Sequence, residues 1–194
     1  MMANPFDPGY YDEHELSLLN FGCVGRNVHI AKNCTLINLS KLFIGSNVRI
    51  DGNTVIVAGA EPITLRNFIH IGGGSTIIGG AGVLLEDFSN LSAGVRIFTR
   101  SDDYTNGAFT NPMVPERYSN VKAAAVILRR HVIVGSGSII LPGVTLEEGT
   151  AIGALSLVRK STEPWTVYAG IPATKISTRK RVNRKVETEL LATL

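Results

Sequence analysis

A six-residue repeat constrains the fold of this chain more than any other feature. From position 128 every sixth residue is aliphatic, in the order Leu128, Val134, Ile140, Leu146, Ile152 and Val158. Four residues after each of the first five lies a compact side chain: Val132, Ser138, Val144, Thr150 and Ser156. The same spacing recurs upstream in sets of three, beginning at Val24. Neither a helix nor an ordinary strand has this period. The repeat therefore predicts an all-β fold, a parallel β-helix in which each unit buries one aliphatic residue in a shared column.

The extent of the repeat predicts the organisation of the chain. Residues 1–20 precede it, and we expect them to cap the open end of the column, with a short helix within 11–19. The β-helix is predicted over residues 21–175, in about six coils of three hexads each. A tail over 176–194 should contain an amphipathic helix from about Val182. Residues 100–122 ignore the repeat, and a long irregular excursion inside a compact domain is usually functional.

Composition narrows the class of protein. The 194 residues suit one domain, and the chain has neither a run of eighteen apolar residues nor a basic-then-apolar start. We therefore expect no membrane span and no signal peptide. Cys23 and Cys34 are too few for a disulfide scaffold or a metal site, which favours the reducing cytoplasm. Basic residues gather near the end of the chain without an aromatic stacking platform, so a solvated surface or a small phosphorylated ligand is favoured over nucleic acid.

Three segments resemble the hexapeptide-repeat acyltransferases: residues 134–139 (VGSGSI), 152–157 (IGALSL) and the tail 169–173 (AGIPA). The resemblance covers about residues 20–175. It implies a left-handed parallel β-helix that assembles as a homotrimer. It also implies that acetyl-CoA or another acyl-CoA binds in the cleft between neighbouring prisms, with transfer of the acyl group to a hydroxyl or an amine, often of a sugar.

The irregular excursion carries a narrower resemblance. Ser101, Asp102, Asp103 and Tyr104, followed by residues 111–115 (NPMVP), are similar to a loop of enzymes that acylate sugars for surface polysaccharides such as lipopolysaccharide and its O-antigen. That group includes sugar-nucleotide N-acyltransferases. Many members of the family have a catalytic histidine in this loop, but here the loop has none. The histidines lie elsewhere, at His14, His29, His70 and His131.

The missing histidine favours an amine as the acceptor. An alcohol benefits from a base tuned near neutrality, whereas an unprotonated amine attacks a thioester unaided and loses its extra proton as the adduct forms. A carboxylate can then suffice. The resembling N-acyltransferases suggest Asp103 as this base, with Asp102 as a close alternative. The competing interpretation is that both aspartates only hold the turn before Tyr104 through side-chain-to-backbone hydrogen bonds.

Other residues are candidates for binding the two substrates. Asn90 and Ser92 could contact the sugar or stabilise the oxyanion, although a corner Asn and a small inward Ser are equally consistent with the sequence. Three further residues are candidate sugar contacts: His70, Tyr104 and Glu116. His70 precedes three glycines, and a surface role is the alternative for Glu116. The resemblance implies the following acyl-CoA contacts: Gly135, Gly153, Ala154 and Ser156 along the pantetheine arm, Arg159 and Lys160 at phosphates, Trp165 beside the thiol arm or as an anchor, and Pro172 and Lys175 at the adenine end.

These observations lead to one predicted function and several alternatives. The prediction is acyl-CoA-dependent transfer of an acetyl or short acyl group to the amine of a nucleotide-linked amino sugar, without a metal. A sugar O-acetyltransferase is the nearest alternative. A non-catalytic trimeric scaffold would not need the excursion at 100–122. A carbonic-anhydrase-like β-helix would need several histidines facing one cleft, and the spacing of the four histidines offers no convincing set.

Overall fold

Three parallel sheets form the sides of a prism in the computed structural model, which describes residue 4 and residues 6–192. Strands are numbered along the chain. The first sheet contains β1 (Cys23–Val24), β4 (Leu42–Ile44), β7 (Ile63–Leu65), β10 (Val83–Leu85), β15 (Val126–Leu128) and β18 (Thr145–Leu146). The second contains β2 (Val28–Ile30), β5 (Val48–Ile50), β8 (Ile69–Ile71), β11 (Asn90–Leu91), β16 (Ile133–Val134), β19 (Ala151–Ile152), β21 (Thr166–Gly170) and β22 (Ala173–Thr178). The third contains β3 (Thr35–Ile37), β6 (Val55–Ala58), β9 (Thr76–Gly79), β12 (Arg96–Phe98), β17 (Ile139–Ile140) and β20 (Leu157–Val158).

The six-residue repeat produces the core of this prism. Leu128, Val134 and Ile140 are fully buried, and so are the compact Val132 and Ser138 between them. Each buried aliphatic side chain contributes about 1.5–3 kcal/mol through removal from water. Successive coils are joined by backbone hydrogen bonds, so the backbone polar groups at the core are paired. The predicted fold class is confirmed: the chain is an all-β parallel β-helix, consistent with the left-handed form.

The number of turns differs from the prediction. Seven parallel strands follow one another in the second sheet, ending with β21, so the prism has about seven turns rather than six. The six-residue repeat ends at Val158, and the count of hexads therefore missed the last strand. After β21 the chain reverses into β22, which pairs with it in the antiparallel direction.

Short helices lie at the two ends of the described chain. Helix α1 (Glu13–Ser17) begins with a capping box between Asp12 and Glu15 and buries Leu16 against the column, at the end where the sequence predicts a cap. Helix α2 (Arg184–Leu191) begins after the capping residue Asn183, two residues later than predicted from the pattern. Positions 193–194 of the predicted helix lie outside the described residues. Neither helix has the length or the apolar character needed to cross a bilayer.

The irregular excursion forms an arm, defined here as residues 100–123. It leaves the prism after β12, at the corner between the third and first sheets. Where the arm leaves and rejoins the prism, β13 (Arg100–Ser101) and β14 (Lys122–Ala123) pair in a short antiparallel ladder. A 3-10 turn over Glu116–Tyr118 lies within it. The chain then re-enters the prism at β15.

Truncation in the column should be costly. Ile140 is fully buried, and Ile140→Ala should lower the free energy of unfolding by about 2–5 kcal/mol, because the coil cannot collapse onto the cavity. Ile37→Ala is the matched control, since Ile37 is 50% exposed, and it should cost less than about 1 kcal/mol. Urea unfolding of both variants measures the difference. Equal losses would contradict a column of this kind.

Candidate functional site

The carboxylate of Asp103 is hydrogen-bonded to other residues of the arm. Its Oδ1 accepts hydrogen bonds from the backbone N–H groups of Thr105 (3.1 Å) and Asn106 (3.0 Å) and from the side-chain amide of Asn106 (2.9 Å). Its Oδ2 accepts one from the side-chain amide of Asn120 at 3.3 Å. Asp103 is only 7% exposed. These contacts hold together both ends of the arm, since Asn120 lies near its return to the prism.

The same hydrogen bonds change the acidity of Asp103. The backbone N–H of Thr105, followed by that of Asn106, lowers the pKa of Asp103 to about 2. A carboxylate with such a low pKa is a weak proton acceptor near neutral pH. The geometry therefore supports the alternative interpretation for this residue, in which Asp103 holds the turn before Tyr104.

Asp102 has different surroundings. It is half-buried, and its carboxylate makes no hydrogen bond or ion pair with any residue in the described part of the chain. Two other candidates on the arm face solvent: Tyr104 is 87% exposed, and Glu116 is exposed at the start of the 3-10 turn. Of the two adjacent aspartates, Asp102 is thus the one whose carboxylate is available to a substrate.

A second group of polar residues lies on the outer face of the second sheet. Arg49, His70 and Asn90 occupy equivalent positions in β5, β8 and β11. His70 Nδ1 lies 3.1 Å from Asn90 Oδ1, and His70 Nε2 lies 2.8 Å from Asp51 Oδ2. Arg49 Nε donates to Asp51 Oδ1 at 2.6 Å. The structure thus joins two predicted residues, His70 and Asn90, to two that the sequence analysis missed.

Of the two missed residues, Arg49 had a detectable signal in the sequence. Arg49, His70 and Asn90 follow one another at intervals of one coil, 21 and 20 residues, and each precedes a buried aliphatic residue. Burial alone raises the pKa of Asp51, but hydrogen bonds from His70 and Arg49 outweigh burial, and the pKa is lowered overall. Asp51 therefore remains an anion beside His70 at neutral pH.

Ser92 lies immediately after β11, at the corner between the second and third sheets. It is half-buried, and its backbone N–H donates to the carbonyl of Val134 at 2.9 Å. Its hydroxyl has no hydrogen-bond partner among residues 4 and 6–192. Gly135 and Gly153 occupy the same corner in the two following coils. This corner therefore brings together one candidate sugar contact and two candidate acyl-CoA contacts.

The small residues of this corner have structural roles as well. A Cβ on Gly135 would lie 2.5 Å from the backbone nitrogen of Ala154, so glycine is needed for the coils to stack. Ser156 is only 2% exposed, and its hydroxyl donates to the carbonyl of Gly153 and accepts from the N–H of Gly170. Ser156 is therefore a core residue whose side chain is already paired.

The remaining acyl-CoA candidates are dispersed. Arg159 and Lys160 are exposed beyond β20, at the corner between the third and first sheets. Trp165 lies at the corner before β21, with its ring 5.9 Å from that of His131, which supports the anchor role. Pro172 lies in the turn between β21 and β22, and Lys175 pairs with Glu163 at 2.6 Å.

Removal of the Asp103 charge should loosen the arm. In Asp103→Asn we expect the amide hydrogens of Thr105 and Asn106 to exchange about tenfold faster, because the charged acceptor is lost. The pKa is lowered from its usual 3.8, so in the parent this stabilisation is present above that value and is lost as the pH falls towards 2. Hydrogen exchange measures both effects, with Asp102→Asn as the matched control. Unchanged exchange in Asp103→Asn would contradict this role.

Comparison with known proteins shows a close relationship. The chain is 42% identical over 172 residues to a dTDP-4-amino-4,6-dideoxy-D-glucose acyltransferase of Escherichia coli, which covers 89% of this chain and 90% of that protein. No family model matches the chain.

Solved structures of related enzymes also resemble this chain. AntD, an N-acyltransferase from Bacillus cereus, superposes with a TM-score of 0.91 at 36% identity, covering 97% of this chain and 100% of that one. That AntD structure contains dTDP-4-amino-4,6-dideoxyglucose and coenzyme A. Another, at 38% identity and a TM-score of 0.90 over 95% of this chain and 97% of that one, contains dTDP and 3-hydroxybutyryl-CoA. The AntD structures include variants of one serine and of an aspartate ten positions later.

The extended similarity to the Escherichia coli enzyme, the shared prism and the repeat motifs agree with one another. This chain belongs to the hexapeptide-repeat acyltransferases, among the acyl-CoA-dependent N-acyltransferases of nucleotide-linked amino sugars.

Proposed function

We propose that this chain transfers a short acyl group from acyl-CoA to the 4-amino group of a dTDP-linked 4-amino-4,6-dideoxyhexose. Two relatives support this substrate class: the Escherichia coli protein is an acyltransferase of such a sugar, and AntD binds one together with coenzyme A. The acyl donor is acetyl-CoA or a close homologue of it. The product would be an N-acylated sugar nucleotide for a surface polysaccharide such as lipopolysaccharide.

One observation carries the assignment of the reacting residues. The serine and the aspartate varied in AntD are ten positions apart. In this chain Ser92 and Asp102 are the only serine and aspartate with that spacing and order. Both have side chains without a partner in the described chain, whereas the carboxylate of Asp103 is occupied. We therefore assign the base to Asp102 and a positioning role to Asp103.

The proposed chemistry is direct attack by the amine. The nitrogen lone pair forms a bond to the thioester carbon while Asp102 accepts a hydrogen bond from the amine and thereby orients it. The carbonyl oxygen becomes an oxyanion, to which the hydroxyl of Ser92 donates a hydrogen bond. The proton of the nitrogen passes to Asp102 as the carbon–sulfur bond breaks. Coenzyme A leaves as a thiolate and takes up that proton.

Ser92 and Asp102 lie at different corners of one prism. Ser92 follows the second sheet, and Asp102 follows β13 at the base of the arm, beyond the third sheet, so the length of β12, about 10 Å, lies between the two corners. A site that uses both residues is completed when the arm of one copy reaches the corner of another. The arm also exposes apolar side chains that a neighbouring copy would cover: Tyr104 (87%), Phe109 (68%) and Met113 (89%). These features support a homotrimer with its sites between copies.

The acyl-CoA molecule would lie along the corner that contains Gly135, Gly153 and Ala154. Arg159 and Lys160 are cations without an ionic partner in the described residues and are suited to its phosphates. The turn at Pro172 and the cation of Lys175 would contact the adenine end, with Lys175 leaving Glu163 to do so. Asn90, Tyr104 and Glu116 remain proposed sugar contacts. The two cysteines are free thiols, which supports the cytoplasm as the location.

The acceptor class can be tested by thiol release. Acetyl-CoA and the purified protein are mixed with dTDP-4-amino-4,6-dideoxyglucose, with the 4-hydroxy analogue of that sugar nucleotide, or with plain glycosides. We expect release with the 4-amino compound and at least about a hundredfold less with the hydroxy analogue, since a carboxylate base suffices only for the amine. Comparable rates with both sugars would favour O-acylation. Absence of release and of CoA binding would favour a scaffold.

The roles assigned to Asp102 and Ser92 can be tested by enzyme kinetics. Asp102→Asn should lower kcat by about a hundredfold or more through loss of the base, with the hydrogen exchange of the arm unchanged. Ser92→Ala should lower kcat by about the same factor through loss of an oxyanion donor. Steady-state kinetics and the melting temperature of each variant are the measurements. An Asp102→Asn enzyme within a few-fold of the parent would refute the assignment to Asp102.

A further inference from the structure

Leu155 departs from the residue pattern of the corner between the second and third sheets. Five successive coils turn this corner through one residue with a left-handed backbone, and from Gly74 onward its N–H donates to a carbonyl of the preceding coil. The residues at this position are Asn53, Gly74, Gly94, Gly137 and Leu155, with φ between 55° and 71°. Asparagine and glycine adopt such a backbone more readily than leucine. Leu155 is therefore the strained member of the series.

Packing among the described residues offers little compensation for this strain. At the corner between the first and second sheets, bulky left-handed residues pack on one another, as in Phe68 and Phe88, whose rings stack at 4.7 Å. Leu155 lies over a glycine instead, because a Cβ on Gly137 would be 2.8 Å from its Cδ2. Leu155 is also 70% exposed. A strained residue that gains little from packing indicates a functional contact.

The position of Leu155 relative to Ser92 suggests what it contacts. Ser92 belongs to the coil of Gly94, and Leu155 turns the same corner two coils later. At the spacing of the coils, Leu155 is about 10 Å from Ser92 along the prism. When the thioester lies beside Ser92, the cysteamine and β-alanine groups of an extended pantetheine arm span this distance. The next group of the arm, the pantoyl group with its two methyl groups, then reaches Leu155.

We propose that Leu155 binds the pantoyl methyl groups of acyl-CoA. This inference rests on the proposed function, since it places the thioester beside Ser92. Contact with the methyl groups removes an exposed aliphatic side chain from water, which asparagine or glycine at this position cannot provide. The pantoyl group is common to every acyl-CoA, so the contact serves donors of any acyl chain length. Leu155 is a binding residue and takes no part in proton transfer.

The proposal predicts opposite effects on donor binding and on stability. Leu155→Gly and Leu155→Asn introduce the residues found at this position in the other coils. The KM for acetyl-CoA should rise by about tenfold through loss of one apolar contact, while kcat changes by less than about twofold. The melting temperature should stay the same or rise, because both residues suit a left-handed backbone. A fall of more than about 4 °C in both variants would indicate a structural role and contradict the proposal.

Two further variants serve as controls for the kinetics. Leu155→Met keeps an apolar side chain at the corner, and its KM for acetyl-CoA should stay within about threefold of the parent value. Leu18→Asn is the matched control, because Leu18 is 72% exposed and lies on the cap at the end of α1. Its KM should equal that of the parent. An equal rise in Leu18→Asn and Leu155→Asn would contradict a specific contact at Leu155.

A binding experiment locates the contact on the donor without turnover. Calorimetry measures the dissociation constants of CoA and of adenosine 3′,5′-bisphosphate, which is the other end of CoA and has no pantetheine arm. In Leu155→Gly the constant for CoA should rise by about tenfold, and that for the bisphosphate should be unchanged. The same loss with both compounds, or no loss with CoA, would overturn the proposal.

Light scattering tests whether a neighbouring copy covers Leu155 instead. The mass of the assembly should be equal in the parent and in Leu155→Asn, and a lower mass in the variant would make Leu155 an interface residue and refute the inference. The failure of the proposed function gives a different result: no acyl transfer to any amino sugar, although CoA binding still depends on Leu155. Acyl transfer together with unchanged CoA binding in the variants would refute this inference alone.

Discussion

The backbone hydrogen bonds between successive coils are the interaction on which the rest of this structure depends. Each coil pairs with the next in parallel register, at the strand spacing of about 4.8 Å. Residues roughly twenty positions apart therefore become neighbours, on the outside of the prism as well as inside it. Inside, this register stacks the aliphatic column. Outside, it places Arg49, His70 and Asn90 side by side and lets three side chains far apart in sequence form one polar chain.

The same register operates at the corners. Phe68, Phe88 and His131 take up equivalent left-handed positions, and their rings stack with centroids 4.7 and 5.1 Å apart. Glu187 of α2 bonds to Arg130 and to His131, so the terminal helix is attached to this stack. His131 is nearly buried because these contacts link the prism to its C-terminal tail through it. The sequence alone did not indicate this role.

The arm is a large departure from this regularity, and its two adjacent aspartates have different surroundings. Asp103 is surrounded by donors from both ends of the arm, which makes it a stable anion and a poor base. Asp102 extends from the same backbone with its carboxylate unpaired in the described chain. These surroundings support the proposal that Asp102 is the base, because a reacting group is most effective when its neighbours hold it in place.

The six-residue period predicts the β-helix and the position of the arm, because few other folds bury aliphatic residues at that spacing, and the resemblance of the repeat and tail motifs indicates the family. It also identified His70, Asn90, Ser92 and the aspartate pair as candidates. Folding alone reveals that the carboxylate of Asp103 is hydrogen-bonded while that of Asp102 is unpaired in the described residues, and that Asp51 links His70 to Arg49. The physical reason is that burial and the direction of a carboxylate depend on donors such as Asn120, which folding brings close from seventeen residues away.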